Sequence, residues 1–295
     1  MSLDRSEAAA LSRLFSATVL RELGKQGRSP LFARLVDHTR LATYMSPKET
    51  VGTAFDKAFE LLSKSRFRDD YVYRTAITEK IVLGRHNLNT ATLLNEVRAG
   101  SCKADVVILN GTSTAYEIKS ERDSLSRLQN QIFNYRQVFA TVNVVVSKSH
   151  LSEVLKATPE DVGVITLSER FRFQTSREAQ SRAERIVPRM ALEVLRVDEA
   201  AAVLTRLGLE VPGVPNTQIR SELDRIFAEL DPTAVHEELV KTLRASRSQA
   251  NLASFIDSIP ASIRAASLAA KPNPKSRIRI KEAVDTPLAE ALAWN

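Results

Sequence analysis

A single cysteine, Cys102, stands among the 295 residues. No internal disulfide can form, and no cysteine-based zinc cluster can be built. The chain therefore reads as a protein of a reducing compartment. No apolar run reaches the length of a membrane span. The opening stretch, MSLDRSEAAALSRLF, carries charges where a signal peptide needs an apolar core. A soluble, cytoplasmic protein with no membrane partner is expected. There is no G-x-x-x-x-G-K-[ST] loop, so the chain does not power a helicase step of its own. The serines lack a G-x-S-x-G setting, which disfavours a nucleophile-elbow hydrolase. His86 and His150 have no spaced partner of the H-E-x-x-H kind, so no zinc is assigned. No internal repeat is visible.

The chain is 43% hydrophobic, enough for one or two domains with a proper core. Lys and Arg number 42 against 35 Asp and Glu, a formal charge of +7. This excess is compatible with a polyanion partner without identifying one.

Residues 1–70 read as helices. SEAAALSRLFSATVLREL has Ser6 as an N-cap and apolar residues at helical spacing; SPKETVGTAFDKAFELLSKS has Ser46 as cap, Pro47 at the first helical position and Glu49 three after the cap. From residue 71 the pattern changes. A helix is expected over 73–84, closed by Gly84, then strands over 91–100, 103–111 and 112–120, with Asn110-Gly111 as a hairpin signal. A helix follows over 122–139, opened by Ser120 to Asp123, then a buried strand over 142–147, a helix over 151–157 and a hairpin over 163–175. This alternation predicts a mixed sheet flanked by helices. After residue 176 the chain is helical again, with amphipathic helices over 197–209 and 217–230. It ends in a basic tail, KPNPKSRIRIKEA (271–283). The expected division is 1–70 helical, 71–175 an α/β core, and 176–295 helical with the basic tail. The stretches RFRFQTSR (170–177) and KSRIRIK (275–281) could line a nucleic-acid groove, although basic residues also protect a sheet edge from aggregation.

Two of the strands carry charge where apolar residues would be expected. Asp105 opens the run Val106 to Leu109, and Glu117 and Lys119 lie in the next strand. Alternation places Glu117 and Lys119 on one face. If the two strands pair through the Asn110-Gly111 turn, Asp105 lies across from Glu117. An isolated buried carboxylate is very costly, so something must compensate the pair. Hard divalent cations take carboxylate and carbonyl oxygens. The expected ligands of Mg²⁺, or Mn²⁺, are therefore Asp105, Glu117 and the backbone carbonyl of Ile118, with Lys119 beside the attacking water or the phosphate. A structural salt bridge is the plainer alternative.

Asp105 followed across a hairpin by Glu117-Ile118-Lys119 resembles the PD-(D/E)XK nuclease superfamily, over about residues 71–175. Ala104 stands where that pattern often has Pro. The resemblance implies a restriction-endonuclease-like αβββαβ core with helical regions at both ends. Gln131 and Tyr135, in QIFNY, are similar to the Q-x-x-x-Y motif of the RecB-like branch and would help hold the DNA backbone; Tyr135 also falls on an apolar stripe with Leu128 and Ile132, which would make it a core residue. The family often adds an acid from upstream. Glu96 is preferred for that place because it precedes the turn before Asp105, and Glu79 competes with it. The run around NEVRAG also looks like an uncharacterised bacterial group of such proteins. The implied function is Mg²⁺-dependent cleavage of DNA, in phage defence or DNA processing, with a homodimer compatible with two cuts. The rivals are a catalytically idle nuclease fold that binds nucleic acid or protein, and an RNA-directed nuclease toxin.

Overall fold

The computed structural model describes residues 5–46, 48–64 and 68–294. In chain order the elements are α1 (Arg5–Arg13), α2 (Ala17–Gln26), α3 (Pro30–His38), α4 (Val51–Lys64), α5 (Asp70–Ile77), β1 (Thr92–Ala99), β2 (Cys102–Leu109), β3 (Ser113–Lys119), α6 (Leu128–Arg136), β4 (Thr141–Val146), α7 (Leu151–Ala157), β5 (Gly163–Leu167) and β6 (Phe173–Arg177). The chain then forms α8 (Pro188–Leu192), α9 (Val197–Arg206), α10 (Asn216–Ala228), α11 (Pro232–Ser246), α12 (Ala253–Asp257), α13 (Ala261–Ala270), α14 (Pro274–Asp285) and α15 (Leu288–Ala291). The architecture is mixed α/β. Among the described residues, no helix is long and apolar enough to cross a membrane.

The six strands lie side by side in chain order. β1/β2, β2/β3 and β5/β6 are antiparallel, while β3/β4 and β4/β5 are parallel. Parallel neighbours need a crossover, and α6 and α7 supply the two. β4, TVNVVV, is central and buried on both faces, as expected of a strand covered by helices on each side. Alternation divides the sheet residues between two cores. Val106, Ile108, Tyr116, Ile118 and Val145 face a layer made of α1–α5 and α12–α15. Val107, Leu109, Ala115, Val144 and Val146 face α6–α11. Each fully buried Val or Ile on these faces contributes about 1.5–3 kcal/mol.

Several sequence expectations shift. The first expected helix is two helices. Ser6 lies inside α1, and Ser16 caps α2 by accepting the N–H of Val19. Pro47 lies outside the described residues. The helix expected from there starts at Val51, where Thr50 and Thr53 each accept the other's backbone N–H. The helix expected over 73–84 starts at Asp70, capped by Asp69, and gives way at Thr78 to a π turn. Asp123 does not open α6. Its carboxylate accepts both the N–H and the hydroxyl of Ser120, closing a turn that delays the helix to Leu128. The basic stretch after residue 271 is helical rather than a tail: α14 packs against α2 and α4.

Candidate active site at the fork between β2 and β3

The β2/β3 ladder runs from Leu109↔Ser113 to Val106↔Tyr116 and then opens. At the opening, the Ile118 N–H donates to Asp105 Oδ2 at 2.8 Å instead of to a strand carbonyl. A strand residue turns its N–H and C=O to the same edge, so the Ile118 carbonyl also faces this fork. β1 is irregular at the same level. Asn95 pairs with Val106 and Val97 with Ala104, while Glu96 between them has φ +53°.

Glu117 and Lys119 project to the α6 side and are almost fully buried, at 2% and 5% exposure. Lys119 Nζ lies 2.8 Å from Glu117 Oε1 and donates to Gln131 Oε1 at 2.9 Å. Tyr135 Oη donates toward Glu117 Oε2 at 2.7 Å and toward Lys103 O at 2.5 Å. One phenolic proton thus faces two acceptors. Burial, then the Glu117 carboxylate, push Tyr135 far above the usual phenol range, so it stays a neutral donor. Tyr135 is both core, with no exposed surface, and part of the charged cluster. At i and i+4 on one helix, Gln131 and Tyr135 reach the two ends of the same ion pair.

Burial pushes the Asp105 carboxyl up to about 8, with further rises from Glu117 and Asp70; the Ile118 N–H and Arg74 pull the other way. Arg74 is the residue that sequence reasoning missed. Its Nη1 donates to Asp105 O at 3.1 Å, and its Nη2 lies 3.5 Å from Asp105 Oδ1 and 2.5 Å from Glu96 Oε1. Its Nε bonds Asp70. The i,i+4 spacing of Asp70 and Arg74 in DDYVYR was the available signal. A second missed group buttresses the loop after β3. Arg68 clasps Glu121 with Nε and Nη2 at 2.8 and 2.6 Å, and Tyr73 donates to the same carboxylate at 2.9 Å.

The structure therefore brings together Asp105, Glu117, Ile118, Lys119, Gln131 and Tyr135. Neither upstream acid touches the carboxylate pair directly, and Glu96 meets Asp105 only through Arg74 Nη2. The left-handed backbone at Glu96 turns its half-exposed carboxylate outward onto Arg74. Glu79 lies in the π turn, 3.4 Å from Arg264 of α13. Among the described residues, no group of three or more His, Cys, Asp or Glu side chains is gathered closely enough to hold a metal. What remains for a hard cation is two desolvated carboxylates and the Ile118 carbonyl edge. That donor set fits Mg²⁺ or Mn²⁺, which complete their shells with water.

Comparison with known proteins places this site inside a shared region. Residues 63–270 match the family model described as Bacteriophage P4 protein cII. Protein cII of Enterobacteria phage P4 is 30% identical over 164 residues, covering 53% of this chain and 60% of that protein. The chain thus spans about 60% of the length of that curated relative. No solved structure matches. The family match takes in all six strands, the fork and α5 to α13, well over half of the chain, and the chain belongs to the family of bacteriophage P4 protein cII.

Proposed function

We propose that the chain is a metal-dependent nuclease of restriction-endonuclease-like design that hydrolyses phosphodiester bonds in DNA. The observation that carries this reading is the convergence at the fork: Asp105 and Glu117 from adjacent strands, with Lys119 held between Glu117 and Gln131. The order α5-β1-β2-β3-α6-β4, with β3 and β4 parallel, supports a PD-(D/E)XK core, and Gln131 with Tyr135 supports the RecB-like branch. Asp105, Glu117 and the Ile118 carbonyl would hold the ion, which when bound supplies a polarised phosphate and a more acidic water. The protein's own groups do the rest. Gln131 and Glu117 fix the Lys119 ammonium so that its charge meets negative charge developing on phosphate without reorganisation. Tyr135 fixes the Glu117 carboxylate. The phage relative favours a mobile-element setting over a defence one. A second reading, an idle fold that binds nucleic acid or protein, is favoured by the cations already present: Lys119 on Glu117 and Arg74 beside Asp105.

The test is cleavage of supercoiled DNA, linear DNA and RNA with Mg²⁺ or Mn²⁺ against EDTA. Cutting that needs the ion and falls about 10²–10³-fold in Lys119→Ala is expected, with DNA preferred. Cutting of RNA alone would transfer the reading to a ribonuclease. No cutting of any substrate, with calorimetry detecting no Mn²⁺ uptake that Asp105→Ala removes, would overturn it in favour of the binding module.

A further inference from the structure

The basic stretch after residue 271 is not loose chain, and its place in the fold gives it a different meaning. α14 lies across α2 so closely that a Cβ on Gly24 would stand 3.0 Å from Ser276 Cβ, and Arg279 Nη1 donates to the Lys25 carbonyl at 2.7 Å. This crossing joins two segments distant in sequence into one outer surface. Arg21 and Lys25 of α2, Arg28 just beyond it, and Lys275 and Arg279 of α14 are all exposed. Among the described residues, none of the five has an acidic side chain within salt-bridge distance. Glu22, the acid on α2, is turned to the start of α3, where its Oε2 accepts from Ser29 Oγ at 2.5 Å and from the Leu31 N–H at 3.3 Å. Glu282 and Asp285 are the acids on α14, toward its far end.

We infer that the α2–α14 face is an anchoring surface for the phosphate backbone of nucleic acid, separate from the fork. Four cations on two helices, with Arg28 just past one of them, extend along both elements rather than around a point, as they would for a small anion; they match an extended polyanion read without regard to sequence. An anionic membrane fits less well. The large apolar side chain exposed on α14 is Ile278 alone, and a helix that lies in a bilayer surface needs a broad apolar face. The surface belongs to the layer packed on the Val106/Ile118 side of the sheet, whereas Glu117 and Lys119 face α6. Both of its helices also fall outside the family-matched residues 63–270. The inference goes beyond the nuclease reading and does not require it.

The experiment measures binding of fluorescein-labelled duplex and single-stranded DNA by anisotropy, in EDTA, across a salt series. The full chain is compared with the triple variant Lys25→Gln/Arg28→Gln/Lys275→Gln and with the double variant Lys156→Gln/Arg206→Gln, which removes exposed cations of α7 and α9, and its binding to 70:30 phosphatidylcholine:phosphatidylserine vesicles is measured alongside. Among the described residues, none of the three substituted side chains has a hydrogen bond or ion pair to lose, and a thermal melt checks that the fold is kept. On duplex DNA the wild-type log–log salt slope is expected at about −4.5, and the triple variant should be shallower by about 2.7, at about 0.9 per phosphate contact. Its affinity near 0.1 M salt should fall at least tenfold, with Lys156→Gln/Arg206→Gln binding like wild type. Unchanged slope and affinity in the triple variant would overturn the inference. So would an equal loss in Lys156→Gln/Arg206→Gln, which would assign the contact to overall charge rather than to this face, or binding to vesicles without binding to DNA. Absence of cleavage leaves every arm of this test intact, so the two readings fail separately.

Discussion

At the residue scale, the fork holds charges that a folded interior ordinarily excludes, and their coupling is measurable. Removing one member of the Glu117–Lys119 pair strands the other in a nearly closed site, at a loss of about 3–5 kcal/mol. Glu117→Gln and Lys119→Met are each expected to destabilise strongly in urea titrations, while the double variant loses clearly less than their sum; strict additivity would show that the ammonium and carboxylate do not depend on each other. A second buried carboxylate gives a pH signature. Glu199 accepts from Arg247 at 2.6 and 2.8 Å, from Ser246 Oγ at 2.7 Å and from the Arg196 N–H at 2.9 Å. Burial alone would raise it, but these donors hold it down at about 2, against an ordinary 4.5. Because the folded value is the lower one, its stabilisation, on the order of 3 kcal/mol, is complete above about pH 4.5 and lost as pH falls through about 2. Glu199→Gln should be less stable at neutral pH and should flatten the acid limb of a stability–pH curve in that window. Asp105, Glu117 and Lys119 were legible in the sequence because charge interrupts strand periodicity. Arg74 was not, because a cation on a helix surface looks solvated until the strand beneath it is placed. The turn of Glu96 onto Arg74 was not legible either, because a left-handed residue inside a strand leaves no mark that alternation can detect.

At the element scale, the site depends on how α6 is seated over the β1–β2 turn. Gly100 has φ +56°, and a Cβ there would run into Asn134 Oδ1 and stand 2.9 Å from Met190 Cε. Asn134 lies on α6 between Gln131 and Tyr135. Gly100→Ala is therefore expected to lower stability by about 2–5 kcal/mol and to reduce any fork-dependent activity; a melting temperature within a degree of wild type would show that α6 yields without penalty. Strands and the central helix–strand alternation were readable because turns, β-branched runs and the hairpin signal agree locally. Helix limits were not, because polar side chains decide them: Ser16 starts α2, and Asp123 holds back α6. The packed character of α14 was hidden for a different reason. Its apolar positions Ile280, Ala283 and Val284 gain meaning only against α2 and α4, more than 200 residues earlier.

At the scale of the whole molecule, the two ends of the chain complete one core. Phe32, Phe55 and Leu62 pack in the same cluster as Ile263, Ile280 and Leu288, and the only tryptophan, Trp294, lies 5.9 Å from the Phe32 ring. A chain cut to the family-matched residues 63–270 would keep α5 and α13 on the sheet but strip from them the helices α1–α4, α14 and α15 that complete that core. It is expected to melt without a cooperative transition in calorimetry and to bind a hydrophobic dye, whereas a sharp transition would show that the sheet and α5–α13 stand alone. The same closure sets an order of events during synthesis. Each strand pairs with its neighbour in sequence, so strand pairing can begin as the chain emerges, before the core on one side is complete. The helices before residue 64 must wait for α14, some 10–40 s later at about 5–20 residues per second. Fluorescence from Trp294 should accordingly be the last signal to settle, reporting on a molecule whose charged fork is sketched early and held firm only once its outer wall is shut.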